Sequence, residues 1–204
     1  MRPEKDIVEI GKEKLQQLRT VFDELEVQLA LGKAEAKELF EREKKNLNEF
    51  VNEQKSRFRK EQKLAEEKWH DLLGKFEALE ALLSVETATK KRAYDEQKKQ
   101  MLRTIYELEY AIKEAYGELG AAFREQLDHF KARLDAYRIQ LALSEFDNNA
   151  EAEIRRADLL EKVNEVRTKM RKEEEAANKV DDFVSEISTS FEHLKKAFSD
   201  LFAN

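Results

Sequence analysis

Only five Gly and one Pro occur in 204 residues, whereas an average chain of this length would carry roughly 12% of the two together. Turns must be few and the helices between them long. The rest of the composition agrees: 40% of the residues are charged and 41% hydrophobic, with Ala, Glu, Lys, Leu and Arg dominant, as in coiled coils. Such a chain spreads its apolar residues along a thin seam instead of pooling them around a deep pocket. The expected fold class is all-α. Its expected form is an elongated antiparallel bundle of three long coiled-coil-like helices plus an N-terminal helical segment.

Apolar residues at alternating three- and four-residue steps mark the seams. Val8, Leu15, Phe22 and Leu29 form one series with Leu18 and Leu25; Trp69, Phe76 and Leu83 form another with Leu72 and Leu79. Met101, Leu108 and Ala115 run with Ile105, Ile112 and Leu119, and Phe123, Phe130 and Tyr137 with Leu127, Leu134 and Leu141. The longest series is Val163, Met170, Ala177, Val184, Phe191 and Phe198. Between Leu29 and Trp69 the stripe passes through Phe40, Leu47, Val51, Phe58 and Gln62 at an eleven-residue period, which predicts one nearly straight helix. The four-residue phase shift from Leu119 to Phe123, beside Gly117 and Gly120, reads as a stutter in a continuous helix.

An internal repeat aligns Leu29 through Leu47 with Leu83 through Met101, setting Lys37 against Lys91 and Phe40 against Tyr94; a weaker third copy starts at Leu141. If each repeat is one helix, it is about 80 Å long at 1.5 Å per residue. Turn chemistry lies at Ser84 and Thr87 and at Asp147-Asn148-Asn149, so turns are expected at 84–88 and 144–149. The chain divides into an N-terminal helical segment, 1–32, and a long-helix bundle, 33–204. Whether it turns at Gly32 or runs straight through is left open by the pattern.

Charge and motif content narrow the function. A formal charge of -6 and a pI near 5.4 argue against binding a phosphate backbone, so nucleic acid is not an expected partner. No apolar run reaches the roughly 20 residues that cross a bilayer, and residues 1–15 carry charges throughout, unlike a signal peptide. The absence of Cys excludes disulfides and thiolate metal ligands and fits a reducing, cytoplasmic setting. A carboxylate-bridged metal site in a bundle needs two Glu-x-x-His pairs. Glu67-Lys-Trp-His70 is one, and His129 and His193 supply no second. No phosphate-cradling Gly loop or nucleophile elbow is present. No enzyme, cofactor or metal is expected.

Two kinds of contact surface are. Val8, Leu15, Leu18, Phe22, Leu25 and Leu29 form a stripe that the long helices cover only in part, which points to a homo-oligomer in which a second copy covers the rest. Lys55, Arg57, Arg59, Lys60 and Lys63 form a basic patch that could touch an anionic lipid surface, and a parallel first and third helix would bring it near Arg167, Lys169, Arg171 and Lys172. The expected function is a non-enzymatic scaffold that self-associates or holds protein partners along a helical rod. The alternative is a peripheral lipid-surface protein of the curvature-sensing three-helix-dimer or granule-coating type.

Overall fold

The computed structural model describes residues 19–60, 66–117, 119–145 and 149–175. They form α1 (19–30), α2 (Lys33–Lys60), α3 (Glu66–Ser84), α4 (Lys91–Tyr116), α5 (Ala121–Leu143) and α6 (Asn149–Glu175), with no strand among the described residues. The fold is all-α. The expected turns at 84–88 and 144–149 are present: α3 stops at Ser84, α4 starts at Lys91, and α5 ends at Leu143 before α6 starts at Asn149.

Two expected long helices are instead hairpins. Lys55 of α2 lies 2.6 Å from Glu80 of α3, Phe58 packs on Phe76 with ring centroids 5.9 Å apart, and Lys44 bonds Thr87 at 3.1 Å. Residue numbers that rise on α2 meet numbers that fall on α3, so the chain reverses between Lys60 and Glu66. A hydrophobic period has no direction, and the eleven-residue stripe survives such a reversal. The sign of the charge marks the break: Arg57, Arg59 and Lys60 occupy the last turn of α2, and Glu66 and Glu67 the first turn of α3. Cations at a helix C-terminus and anions at an N-terminus each favour ending one helix and starting another.

The second reversal replaces the stutter expected at Gly117 and Gly120. Gly117 caps α4 at φ 81°, and its N–H donates to the Lys113 carbonyl at 2.8 Å. That left-handed conformation is one that Gly adopts without a Cβ clash. Beyond it α5 runs back along α4. Glu109 meets Lys131 at 2.6 Å, Asp95 pairs with Arg138, and the Tyr94 hydroxyl donates to the Leu134 carbonyl at 2.9 Å. A four-residue phase shift next to two Gly is thus the mark of a turn here. No helix among the described residues approaches 80 Å; α2, with 28 residues, is about 42 Å long.

Helices α2 to α5 form an up-down-up-down bundle, because α2 is also antiparallel to α5: Phe40 stacks on Tyr137 at 4.7 Å and Phe50 on Phe123 at 5.6 Å. The buried core runs from Ala36 through Val51, Leu72 through Leu83, Tyr94 through Ile112 and Leu119 through Leu141. The repeat survives in it as a hairpin and not as a single helix. Phe40, Leu47 and Val51 of α2 stand fifty-four residues before Tyr94, Met101 and Ile105 of α4, and Phe76 and Leu83 of α3 fifty-four before Phe130 and Tyr137 of α5. Phe22, Leu25 and Leu29 of α1 precede Phe76, Leu79 and Leu83 of α3 by the same interval. On α6, Leu159, Val163 and Val166 follow Met101, Ile105 and Leu108 of α4 by fifty-eight. Odd and even helices are two arms of one repeating unit.

Helix α1 resolves the question at Gly32. The chain breaks at Leu31–Gly32, the Gly32 N–H donates to the Glu35 carboxylate at 3.1 Å, and Ala36 N–H donates to the Gly32 carbonyl at 2.9 Å. A carboxylate three residues on that reaches back to the capping N–H is half of a capping box. The chain then doubles back, for Glu24 of α1 and Glu43 of α2 both meet Arg133 of α5. Helices α1 and α6 form a second layer over α5. Accordingly α5 is buried on two faces: Phe130, Leu134 and Tyr137 point into the bundle, while Ala132, Ala136, Ile139 and Leu143 are buried on the opposite side. A helix with apolar stripes on opposite sides belongs between two layers.

Candidate protein-interaction surface

The second layer settles the fate of the N-terminal stripe. Phe22, Leu25 and Leu29 are each 1% exposed within the single chain, so the chain itself covers these three and no second copy is required for that purpose. Val8, Leu15 and Leu18 lie outside the described residues. The layer is fastened by charge: Arg133 bridges Glu24 and Glu43, and Arg167 of α6 holds Asp23 and, at 2.6 Å, Glu26 of α1.

The basic patch does not assemble as expected. Lys55 is engaged with Glu80, and Lys63 lies outside the described residues. Arg57, Arg59 and Lys60 are exposed on the last turns of α2 and make no ion pair among the described residues. Arg167 stands level with Asp23 and Glu26, opposite the middle of α2 near Glu43, which is about 20 Å of helical rise short of the patch. The parallel alignment behind the expected union needed a continuous helix through 61–65. Without it the two basic groups are separate. The side chains of Lys169, Arg171 and Lys172 are outside the described residues.

Buried polar groups in the bundle serve the fold. Lys44, 1% exposed, gives its ammonium protons to the Val85 carbonyl, the Thr87 hydroxyl at 3.1 Å and Glu41 at 3.1 Å. Glu41 also accepts the Thr87 N–H at 2.9 Å. The α3–α4 loop is thereby tied to α2. Burial works to raise the Glu41 carboxyl, but the bonds from Thr87 and Lys44 outweigh it and hold the group below its ordinary value. Burial pushes the Tyr94 phenol far up, and burial with nearby Glu41 pushes Tyr137 to about 12. Both stay protonated at neutral pH. Glu67 and His70 sit at the exposed start of α3, where the His70 ring N–H donates to the Glu66 carbonyl at 2.8 Å. Among the described residues no three His, Asp or Glu gather into a metal-binding cluster.

What remains outward is a groove between α3 and α4 of about 820 Å³, lined by Asp71, Leu72, Lys75, Tyr106, Tyr110 and Ala111 among others. Tyr106 is 55% and Tyr110 67% exposed, one helical turn apart on α4. Lys131 lies 5.0 Å over the Tyr106 ring, close enough for a cation–π contact. Burial alone would pull that ammonium down, but Glu109 and Asp128 prevail and hold it above the ordinary lysine value. The sequence pattern passed over both tyrosines because neither lies in a seam. The repeat could have found them: fifty-four residues earlier, α2 carries exposed Asn52 and Ser56 at the matching positions. No helix among the described residues is long and apolar enough to cross a membrane. No protein-family model, curated protein or solved structure matches the chain.

Proposed function

We propose that this chain is a non-enzymatic structural or interaction protein, a helical scaffold that self-associates and holds protein partners on its outward faces in a reducing, cytoplasmic setting. The observation that carries the reading is the pair Tyr106 and Tyr110. The repeat shows that the fold accepts Asn and Ser at these positions, so two half-exposed phenol rings add nothing that folding requires. Tyrosine is enriched where one protein meets another, because it offers a large apolar surface with a polar tip and little conformational entropy to lose. The net charge of -6 disfavours nucleic acid.

A lipid-surface role is the second reading, and Arg57, Arg59 and Lys60 favour it as three exposed cations on one helix end. Size-exclusion chromatography with light scattering, with and without phosphatidylserine vesicles, separates the two. The scaffold reading expects an assembly larger than one chain whose elution is indifferent to vesicles, and whose mass falls in the Tyr106→Asn, Tyr110→Ser double variant. Co-elution with vesicles, lost on changing Arg57, Arg59 and Lys60 to Gln, would overturn it in favour of the lipid surface.

A further inference from the structure

Helices α3 and α5 are the same arm of the repeat, and only one of them is covered on both sides. On α5 the face turned away from the bundle carries Ala132, Ala136 and Ile139, which are 2%, 2% and 5% exposed beneath the second layer. Fifty-four residues earlier the matching positions are Ala78 and Leu82 on α3 and Val85 just past its end, equally apolar, yet Ala78 is exposed, Leu82 only partly buried against the core and Val85 51% exposed. Helix α3 packs against α2 and α4, and no second layer of described helices covers Ala78.

Charge says what would. Helix α3 starts with Glu66 and Glu67 and is followed by Lys90 and Arg92; all four are exposed and none has an ion-pair partner among the described residues. With Asp71 paired to Lys75 and Glu86 to Lys37, the charge left over along this surface is acidic at the Glu66–Glu67 end, where Lys68 offsets part of it, and basic at the Lys90–Arg92 end. The complement of such a gradient is the same surface turned end for end. An acidic helix such as α1, with Asp23, Glu24 and Glu26, would meet like charge along half of it.

We infer that the outward face of α3 binds α3 of a second copy in an antiparallel, two-fold contact centred near Ala78, with Glu66 and Glu67 of each copy facing Lys90 and Arg92 of the other. A two-fold contact is self-complementary by construction, and each charge pair is made twice. Tyr110 stands at the edge of this face and belongs to its rim. The inference rests on the self-associating reading given above and specifies its surface.

The chain has no Cys, so a single introduced thiol reports on the axis. Ala78→Cys, placed where two copies meet, should form a disulfide-linked dimer under mild oxidation, since bridging needs Cα atoms within about 7 Å. Asn52→Cys, exposed on α2, should remain a monomer on a non-reducing gel. In sedimentation velocity, Lys90→Glu with Arg92→Glu should weaken dimerisation at least tenfold. Adding Glu66→Lys and Glu67→Lys to that variant should restore it. Equal cross-linking at both thiols, or failure of the charge swap to restore association, overturns the α3 contact. If wild type sediments as more than one chain in that case, the scaffold reading stands and only its surface is wrong. A wild-type chain that stays monomeric at 100 µM overturns the self-association in both.

Discussion

Helices α3 and α5 carry the same apolar spacing on their inner faces and nearly the same on their outer ones, yet α5 lies between two layers and α3 has one side open. Their apolar spacing does not distinguish them. One polar difference is Arg133, which stands on α5 where α3 has Leu79. Leu79 is fully buried in the bundle, whereas Arg133 points to the side and collects Glu24 and Glu43. Together with His129 and Gln140, it gives α5 polar contacts with residues 24–31. A repeated unit supplies identical apolar faces, and polar exceptions to the repeat specify which neighbour docks on which face.

That contrast can be broken most severely by placing a charge at matched positions. Ala132→Glu sets a carboxylate beneath the second layer without a partner and should cost about 3 kcal/mol or more in urea unfolding. Ala78→Glu, its counterpart on α3, should change monomer stability by no more than about 0.5 kcal/mol. Equal losses at the two sites would mean that the two faces are not covered differently.

Arg133 itself comes next. Arg133→Leu makes α5 resemble α3 at this position, leaving Glu43, 15% exposed in its side chain, without this counter-charge and Glu24, 12% exposed, with only His129 at 3.6 Å. A loss of about 2 to 3 kcal/mol is expected, with amide exchange rising first in residues 19–30. If exchange rises evenly over all helices, Arg133 is not what fastens the layer.

Glu41 gives a smaller, pH-dependent effect on the α3 side, through the loop that follows α3. Its carboxyl is held down in the folded chain, so its contribution is present above the ordinary carboxylate value of about 4.3. The contribution disappears as pH falls through the lower, folded value. Glu41→Gln should therefore be less stable than wild type at pH 7, and the two should converge on acidification. A gap that persists unchanged to pH 2 would remove Glu41 ionisation as the cause. The smallest change is expected for Tyr106→Asn with Tyr110→Ser, which copy the first repeat: thermal unfolding within about 0.5 kcal/mol of wild type, with any loss confined to association.

Among the described residues the sequence pattern identifies the seams because burial follows helical period whatever the direction of the chain; Met170, Ala177, Val184, Phe191 and Phe198 of the longest series have side chains outside the described residues. Phe22, Phe40, Phe76, Tyr94, Ile105, Phe130 and Val163 all lie in the core. It misses both hairpin reversals because period carries no sign. The switch from Arg57, Arg59 and Lys60 to Glu66 and Glu67, and the pair Gly117 and Gly120, held the missing information in charge and in φ. The α3–α4 surface was less legible still. Exposed positions have no period of their own, so Tyr106, Tyr110 and Val85 become notable only when each is compared with its repeat partner.

The placement of α5 also governs how the chain comes apart. Residues 19–30 and α6 touch the bundle through α5, Arg133 and Gln140, whose side-chain amide donates to the Leu31 carbonyl at 3.1 Å. The outer layer can therefore open as a unit while the four-helix core persists. Loss of α5, by contrast, removes the wall shared by both. Amide exchange in α1 and α6 is therefore expected to be faster than in α2 to α5, as for a layer that opens before the core does.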